Sequence, residues 1–424
     1  MEAETTVALR CATAGSVDDG KSTLIGRLLL DSKSLLADQI AHVAEASRRR
    51  GLERADLALV TDGLRAEREQ GITIDVAWRY FATPRRRFVL ADSPGHVQYT
   101  RNTVTACSSA DAAVILVDAR RGLSEQTKRH LFVARLVAVP HVVIAVNKMD
   151  AVLWDLSAFA RVRDDVAEYL GALPAWLPGA TTTFIPLSAL TGDNVVEPSR
   201  TMPWYDGPTL LAHLEGCEAR AESGGPARLS VQWVIRPQSD AHPDYRGYAG
   251  RLASGTLRVG QAVKLLPSGE SSRVTRIETA RGDADEARAG ESIVVHLEGD
   301  FDVGRGESII GIASGEPEPR VTRELSLHVA WVHKTPAKVG ATLWVKHGSR
   351  EVRGVLESID ERYDVATGAS VQDDAPFGLN ALGRVRVRTN EPLVVESFAT
   401  SRVTGSALLV DAATGDTLAG AMIA

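Results

Sequence analysis

One stretch restricts the fold of this chain more than any other: Gly15-Ser16-Val17-Asp18-Asp19-Gly20-Lys21-Ser22-Thr23. It has the G-x-x-x-x-G-K-[ST] spacing of a phosphate loop, and the apolar runs Val7 to Ala14 and Leu24 to Leu30 flank it, so strand, loop and helix are expected in that order. Glycines let the backbone curl close enough for its N–H groups to cradle phosphate, and the helix N-terminus adds its dipole. In such a loop Lys21 reaches the β- and γ-phosphates and the Ser22 hydroxyl ligates Mg²⁺.

The segments that follow read as the rest of a nucleotide site. Gly71-Ile72-Thr73-Ile74 leads into a strand-like run, Val76 to Phe81. Its place between the phosphate loop and the next acidic strand end makes it the candidate sensor of a γ-phosphate, with Thr73 as a second hydroxyl for Mg²⁺. Phe88 to Ala91 then runs into Asp92-Ser93-Pro94-Gly95-His96. A carboxylate at the end of a strand beside a phosphate loop is placed to hold Mg²⁺ through water, Gly95 offers an unobstructed N–H to the γ-phosphate, and His96 is positioned to orient a water. The buried-type strand Val142 to Val146 delivers Asn147-Lys148-Met149-Asp150. A carboxylate accepts from guanine N1–H and its exocyclic amine together, while an amide donates to O6 and N7, so N-K-x-D selects guanine. A further strand, Thr183 to Leu187, ends at Ser188-Ala189-Leu190, whose backbone is expected to finish the base pocket.

Alternating strands and helices with site residues at successive strand ends describe a doubly wound α/β P-loop GTPase domain. It is expected over residues 1–222, with Thr209 to Glu215 as its last helix and Ser223-Gly224-Gly225-Pro226 as a linker. From Arg228 the texture changes to short alternating runs separated by turn signals such as Pro267-Ser268-Gly269. Two small β-barrel domains are expected, over 228–314 and 320–424, on either side of a Gly315-Glu316-Pro317-Glu318-Pro319 break.

Composition limits the setting. The 424 residues suffice for several cores, and a net charge of −6 provides no reason to expect a nucleic-acid or membrane partner. The three cysteines, Cys11, Cys107 and Cys217, form no disulfide framework or metal pair, and no eighteen apolar residues run together, which points to the cytoplasm. Arg48-Arg49-Arg50 before Gly51 are the cations expected in a last helical turn. His242, His296 and His333 have no metal spacing between them.

Taken together, these motifs resemble the translation-factor class of GTPases, which have one α/β domain and two barrels. Within that class the chain is most similar to the large GTPase subunit of bacterial sulfate adenylyltransferase. Gly15 to Leu29, with Ser16 where elongation factors usually have histidine, carries that likeness, as do Asp62 to Ala77, Gln98 to Asn102 and Lys346-His347-Gly348-Ser349. Ser93 departs from the threonine or cysteine common at its position. The resemblance implies GTP and Mg²⁺ as ligands, with Lys21, Thr73 and His96 in the hydrolytic step. It further implies a small ATP-pyrophosphatase-like partner subunit that makes adenylyl sulfate and pyrophosphate from ATP and sulfate. An adenylylsulfate kinase, fused in some relatives, is expected to require another chain. The competing expectations are a translation factor that delivers aminoacyl-tRNA and, below it, a stress or signalling GTPase.

Overall fold

The structure is a computed structural model that describes residues 7–35, 37–49, 57–60, 75–96, 99–174, 180–219, 224–237, 245–312, 315, 317–372 and 376–424. Residues Met1–Ala219 and Tyr363–Ser370 form one compact unit; Arg220–Arg362 and Val371–Ala424 form a second.

The first unit is built on β1 (Leu9–Gly15), β2 (Ala77–Ala82), β3 (Arg87–Asp92), β4 (Ala112–Asp118), β5 (His141–Asn147) and β6 (Thr181–Pro186). They form one sheet in the order β2-β3-β1-β4-β5-β6. All neighbours are parallel except β2, an edge strand antiparallel to β3. Parallel strands are covered on both faces, which is why β4 is wholly buried and β5 nearly so, and why both read as unbroken apolar runs. The covering helices are α1 (Lys21–Asp31), α2 (Ala37–Arg49), α3 (Thr100–Ser108), α4 (Glu125–Leu136), α5 (Leu156–Ala172) and α6 (Leu210–Gly216). Leu24, Ile25, Leu28 and Leu29 of α1 pack with Leu9, Leu90, Leu116 and Ile185 of the strands in one core. Ser124, Asp155 and Thr209 start α4, α5 and α6, their side chains accepting from the N–H of Thr127, Ser157 and Ala212.

β1 pairs with both β3 and β4, so the chain crosses from one side of β1 to the other. This is the switch point at which doubly wound sheets open a crevice at the carboxyl ends of their strands.

The second unit holds two closed rings of six antiparallel strands. In the first, β7 (Arg228–Ile235), β8 (Gly247–Ser254), β10 (Ala262–Leu266), β11 (Ser271–Thr279), β14 (Ser292–Leu297) and β15 (Ser308–Gly311) join in the cycle β10-β15-β7-β8-β14-β11-β10. The short strands β9 (Thr256–Arg258), β12 (Gly282–Ala284) and β13 (Glu286–Arg288) lie outside that cycle. In the second, β16 (Arg320–Trp331), β17 (Thr342–His347), β18 (Arg350–Tyr363), β20 (Leu382–Val395), β21 (Ser406–Asp411) and β22 (Thr417–Ile423) close as β17-β21-β22-β16-β20-β18-β17, with β19 (Ser370–Val371) flanking β18. Closure leaves no open sheet edge in either ring. Each ring encloses its own apolar core, Tyr248, Val263 and Val295 in the first and Leu327, Val385 and Leu409 in the second. Arg228 of the first ring pairs at 3.2 Å with Glu396, just beyond β20 of the second. Boundaries at 222, 228, 314 and 320 therefore remain our proposed division into three domains, the two rings grouping as one compact unit.

His296 lies 2.8 Å from Glu278 and edge-on to Tyr245, and His333 accepts from the Thr335 N–H; His242 lies outside the described residues.

Candidate nucleotide-binding site

β1 ends at Gly15 and α1 begins at Lys21, so the intervening five residues must reverse the chain at the switch point. They do so with Asp18 at φ 70° and Gly20 at φ 91°. The turn is closed by Asp19 N–H donating to Ser16 O at 3.2 Å and by Ser16 N–H donating to the Asp19 carboxylate at 2.8 Å. A side chain at Gly20 would place its Cβ 2.5 Å from the Asn147 amide nitrogen.

The Asp92 segment lies directly against this loop. A Cβ on Gly95 would stand 2.5 Å from Gly15 O and 3.3 Å from Val17 N, so only glycine permits the approach. Ser93 fastens the segment to β1, its hydroxyl donating to Thr13 O at 2.7 Å. That bond explains how serine serves at this position. Asp92 is buried, with one carboxylate oxygen 3.9 Å from Lys21 Nζ and 3.5 Å from the Thr13 hydroxyl. Lys21 is itself 8% exposed, so the cation is held in a nearly enclosed site. Ser16, Val17, Asp18, Gly20, Lys21, Ser22, Thr23, Gly95, His96 and Lys148 line a single cavity of ≈ 330 Å³. His96 is exposed at its rim.

A second cluster, at the end of β5, adjoins the phosphate loop. Asn147 is buried, its amide donating to Asp19 O at 2.7 Å and accepting from Ala189 N–H at 2.9 Å. The amide thus ties phosphate loop, β5 and the β6 loop together, a role beyond the base contact expected of it. Lys148 donates to Asp18 O and lies 3.0 Å from the Asp118 carboxylate. Asp150 accepts from the Ser188 hydroxyl at 2.6 Å, while Met149 is fully buried beneath it. Arg27 of α1 holds the adjacent loop, donating to Ala189 O and Leu190 O. Leu190 is half exposed.

Every described site residue expected from sequence therefore lies at one end of one sheet. Thr73 and the rest of Gly71–Ile74 lie outside the described residues. The residues the motifs missed are Asp118, Arg120 and His130. Asp118 ends β4 as Asp92 ends β3, which was the available signal. Burial alone would raise the Asp118 carboxyl. The Arg120 side chain and N–H, together with Lys148, overrule it and hold the group well below the usual carboxylate range. His130 is buried on α4, and desolvation, with Lys21 and Arg129 adding to it, lowers its imidazole to about 3, so the ring is neutral.

Asp19 behaves oppositely. Desolvation raises its carboxyl from 3.8 to about 6, against the lowering effect of the Ser16 N–H; Asp118 raises it further, and Lys148 and Arg121 lower it. Because the unfolded chain loses this proton at lower pH, the folded state binds more protons between about pH 4 and 6, and stability falls as pH rises through that window. At 4% exposure the penalty above pH 6 is about 3 kcal/mol. Asp19→Asn keeps an acceptor for Ser16 N–H. In the nucleotide-free protein it is expected to gain about 3 kcal/mol relative to wild type between pH 4 and 6.5, measured by urea unfolding. A pH-independent difference would count against a buried, ionising Asp19.

The oxygen donors suit Mg²⁺. Ser22 lines the phosphate cavity and Asp92 is a buried carboxylate 3.9 Å from the ammonium of Lys21, which also lines it, and among the described residues no group of three His, Cys, Asp or Glu side chains forms a protein-only cage. Mg²⁺ is characteristically held by one or two protein oxygens plus phosphates.

Comparison with known proteins matches residues 7–219 to the Elongation factor Tu GTP binding domain, 248–308 to Elongation factor Tu domain 2 and 324–424 to the GTP-eEF1A C-terminal domain-like family. The Bifunctional enzyme CysN/CysC of Mycobacterium tuberculosis is 48% identical, over 99% of this chain and 67% of its own length. Sulfate adenylyltransferase subunit 1 is 44% identical in Citrobacter koseri, over 98% of this chain and 86% of that protein. The same subunit of Laribacter hongkongensis is also 44% identical, over 99% and 86%. Among solved structures, the Saccharomyces cerevisiae Ski7 GTPase-like domain bound to GDP and inorganic phosphate matches at 18% identity with a TM-score of 0.52, covering 99% of this chain and 97% of that one, a likeness of fold.

Proposed function

Because the chain belongs to the sulfate adenylyltransferase subunit 1 family, GTPases built on the elongation factor Tu plan, we propose that it hydrolyses GTP to drive adenylyl sulfate and pyrophosphate formation from ATP and sulfate on a partner subunit. The observation that carries the reading is the arrangement at the sheet end. There a phosphate loop, the buried Lys21–Asp92 pair and the Asp150–Ser188 pair offer the groups that a triphosphate and a guanine would need.

In this site the loop N–H groups and Lys21 bind the β- and γ-phosphates, and Gly95 N–H addresses the γ-phosphate. Ser22, with Asp92 through water and Thr73 from its loop, would hold Mg²⁺. That ion, when bound, neutralises charge on the β- and γ-oxygens. Asp150 accepts from guanine N1–H and the exocyclic amine, its carboxylate aimed by Ser188. His96, at the rim, orients the attacking water. Phosphoryl transfer asks mainly for positioning and charge stabilisation, which Lys21 and the loop backbone supply from a nearly enclosed setting.

A mixed phosphate–sulfate anhydride is strongly uphill, so its formation needs a coupled downhill reaction. The segments around Thr73 and Gly95 supply the coupling by ordering on the γ-phosphate and releasing after hydrolysis. The partner is a small ATP-pyrophosphatase-like subunit. No described helix is long and apolar enough to cross a membrane, and the three cysteines are free, which supports a place in the cytoplasm. A tagged chain is expected to recover that small subunit from cell extract; recovery of tRNA or ribosomes instead would favour the translational alternative.

A further inference from the structure

The hydroxyl of Ser16, the phosphate-loop residue that sets this chain apart from elongation factors, does not face solvent alone. Ser16 Oγ lies 2.7 Å from Ser124 Oγ and 3.4 Å from Thr127 Oγ1, and Ser124 Oγ lies 2.7 Å from Thr127 Oγ1. Ser124 is also the N-cap of α4, accepting from Thr127 N–H at 3.0 Å. The peptide that follows Ser16 is the surface against which Gly95 packs. Any shift of Gly95 with the γ-phosphate therefore presses on a residue bonded to the start of α4.

From that start a short bonded path crosses the unit. Lys128 N–H donates to Ser124 O at 3.0 Å, one turn along α4. Lys128 Nζ donates to Ala366 O at 2.8 Å and lies 5.3 Å from the centre of the Tyr169 ring on α5. The Tyr169 hydroxyl lies 3.2 Å from Lys128 O and 2.7 Å from Val365 O. The Phe132 ring packs 5.5 Å from that of Tyr363. Val365 and Ala366 belong to Tyr363–Ser370, which clusters with the first unit although the chain on both sides of it belongs to the second. A hydroxyl with one proton and two carbonyl acceptors is a two-position joint. Donation to Val365 O fastens the segment, and donation to Lys128 O frees it.

We propose that the Ser16–Ser124–Thr127 hydroxyls, α4 and Tyr169 pass the nucleotide state of the phosphate loop to Tyr363–Ser370, with Ser124 and Tyr169 as positioning residues. The proposal rests on the GTPase reading above. It requires that segment to respond to the nucleotide, as a two-state element must.

The test uses the full chain, alone and with the small partner subunit. Hydrogen exchange across 363–370 is compared with a non-hydrolysable GTP analogue and with GDP, and adenylyl sulfate formed per GTP hydrolysed is measured in parallel. Wild type is expected to show a nucleotide-dependent exchange difference at 363–370. Tyr169→Phe and Ser124→Ala are expected to abolish it and to lower the product-to-GTP ratio about three- to tenfold, with GTP hydrolysis within twofold of wild type. Ser124→Thr, which keeps a hydroxyl and a cap, is expected to restore both. A variant that is merely destabilised would raise exchange equally with both nucleotides. An undiminished nucleotide-dependent difference in both variants, or none in wild type, would overturn the proposal. Wild type whose product formation ignores GTP would instead overturn the functional reading, while the exchange comparison would still decide this path.

Discussion

Asp150→Asn is expected to weaken GTP binding about a thousandfold and to transfer preference to xanthosine triphosphate. In the site we propose, the Asp150 carboxylate, steered by the Ser188 hydroxyl at 2.6 Å, would present acceptors to two donors of guanine. An amide keeps one acceptor and sets an NH₂ against a base donor. Sites built to hydrogen-bond a substrate reject a mismatched edge by factors of about 10⁴, because buried polar groups are left unpaired. Xanthine carries a carbonyl where guanine has its exocyclic amine and so accepts from that NH₂. Titration of both nucleotides against the variant checks this directly. Undiminished GTP affinity would remove Asp150 from the base site.

Lys21→Ala is expected to lower kcat/KM for GTP hydrolysis by about 10³ or more. Lys21 is 8% exposed and lies 3.9 Å from the buried Asp92 carboxylate, so its charge is screened little by water. In the proposed mechanism, removing it takes away a stabiliser of transferred phosphoryl charge, and it leaves the buried Asp92 carboxylate beside the empty position. Single-turnover hydrolysis with excess enzyme separates the chemical step from binding. A change confined to KM would assign Lys21 to binding alone.

The placement of the phosphate loop, Asp92, Asn147 to Asp150 and Ser188 to Leu190 was legible because each is a local device, a short stretch at or just beyond a strand end. Strands ran a residue or two beyond the apolar runs that revealed them, as with His141–Asn147 around Val142 to Val146. The long strand Arg350–Tyr363 was not legible, because its many charged residues and Gly354 obscure its apolar alternation. The hydroxyl group formed by Ser16, Ser124 and Thr127 was not legible, since it joins residues 108 and 111 positions apart. Nor does the polar turn Asp364-Val365-Ala366-Thr367-Gly368 reveal that its partners are Lys128 and Tyr169. Asn147 shows the limit of motif reading. The motif assigns it to the base, whereas its structural bonds to Asp19 and Ala189 make it the tie between the phosphate and base loops.

GTP hydrolysis by this chain drives sulfate activation on the partner subunit. The direct measurement is adenylyl sulfate formation from ATP and sulfate by the chain and the small partner subunit together, with GTP and with a non-hydrolysable analogue. Adenylyl sulfate is expected to accumulate well beyond the uncoupled equilibrium with GTP and not with the analogue, in proportion to GTP consumed. Equal accumulation with the analogue, or none that depends on this chain, would contradict it.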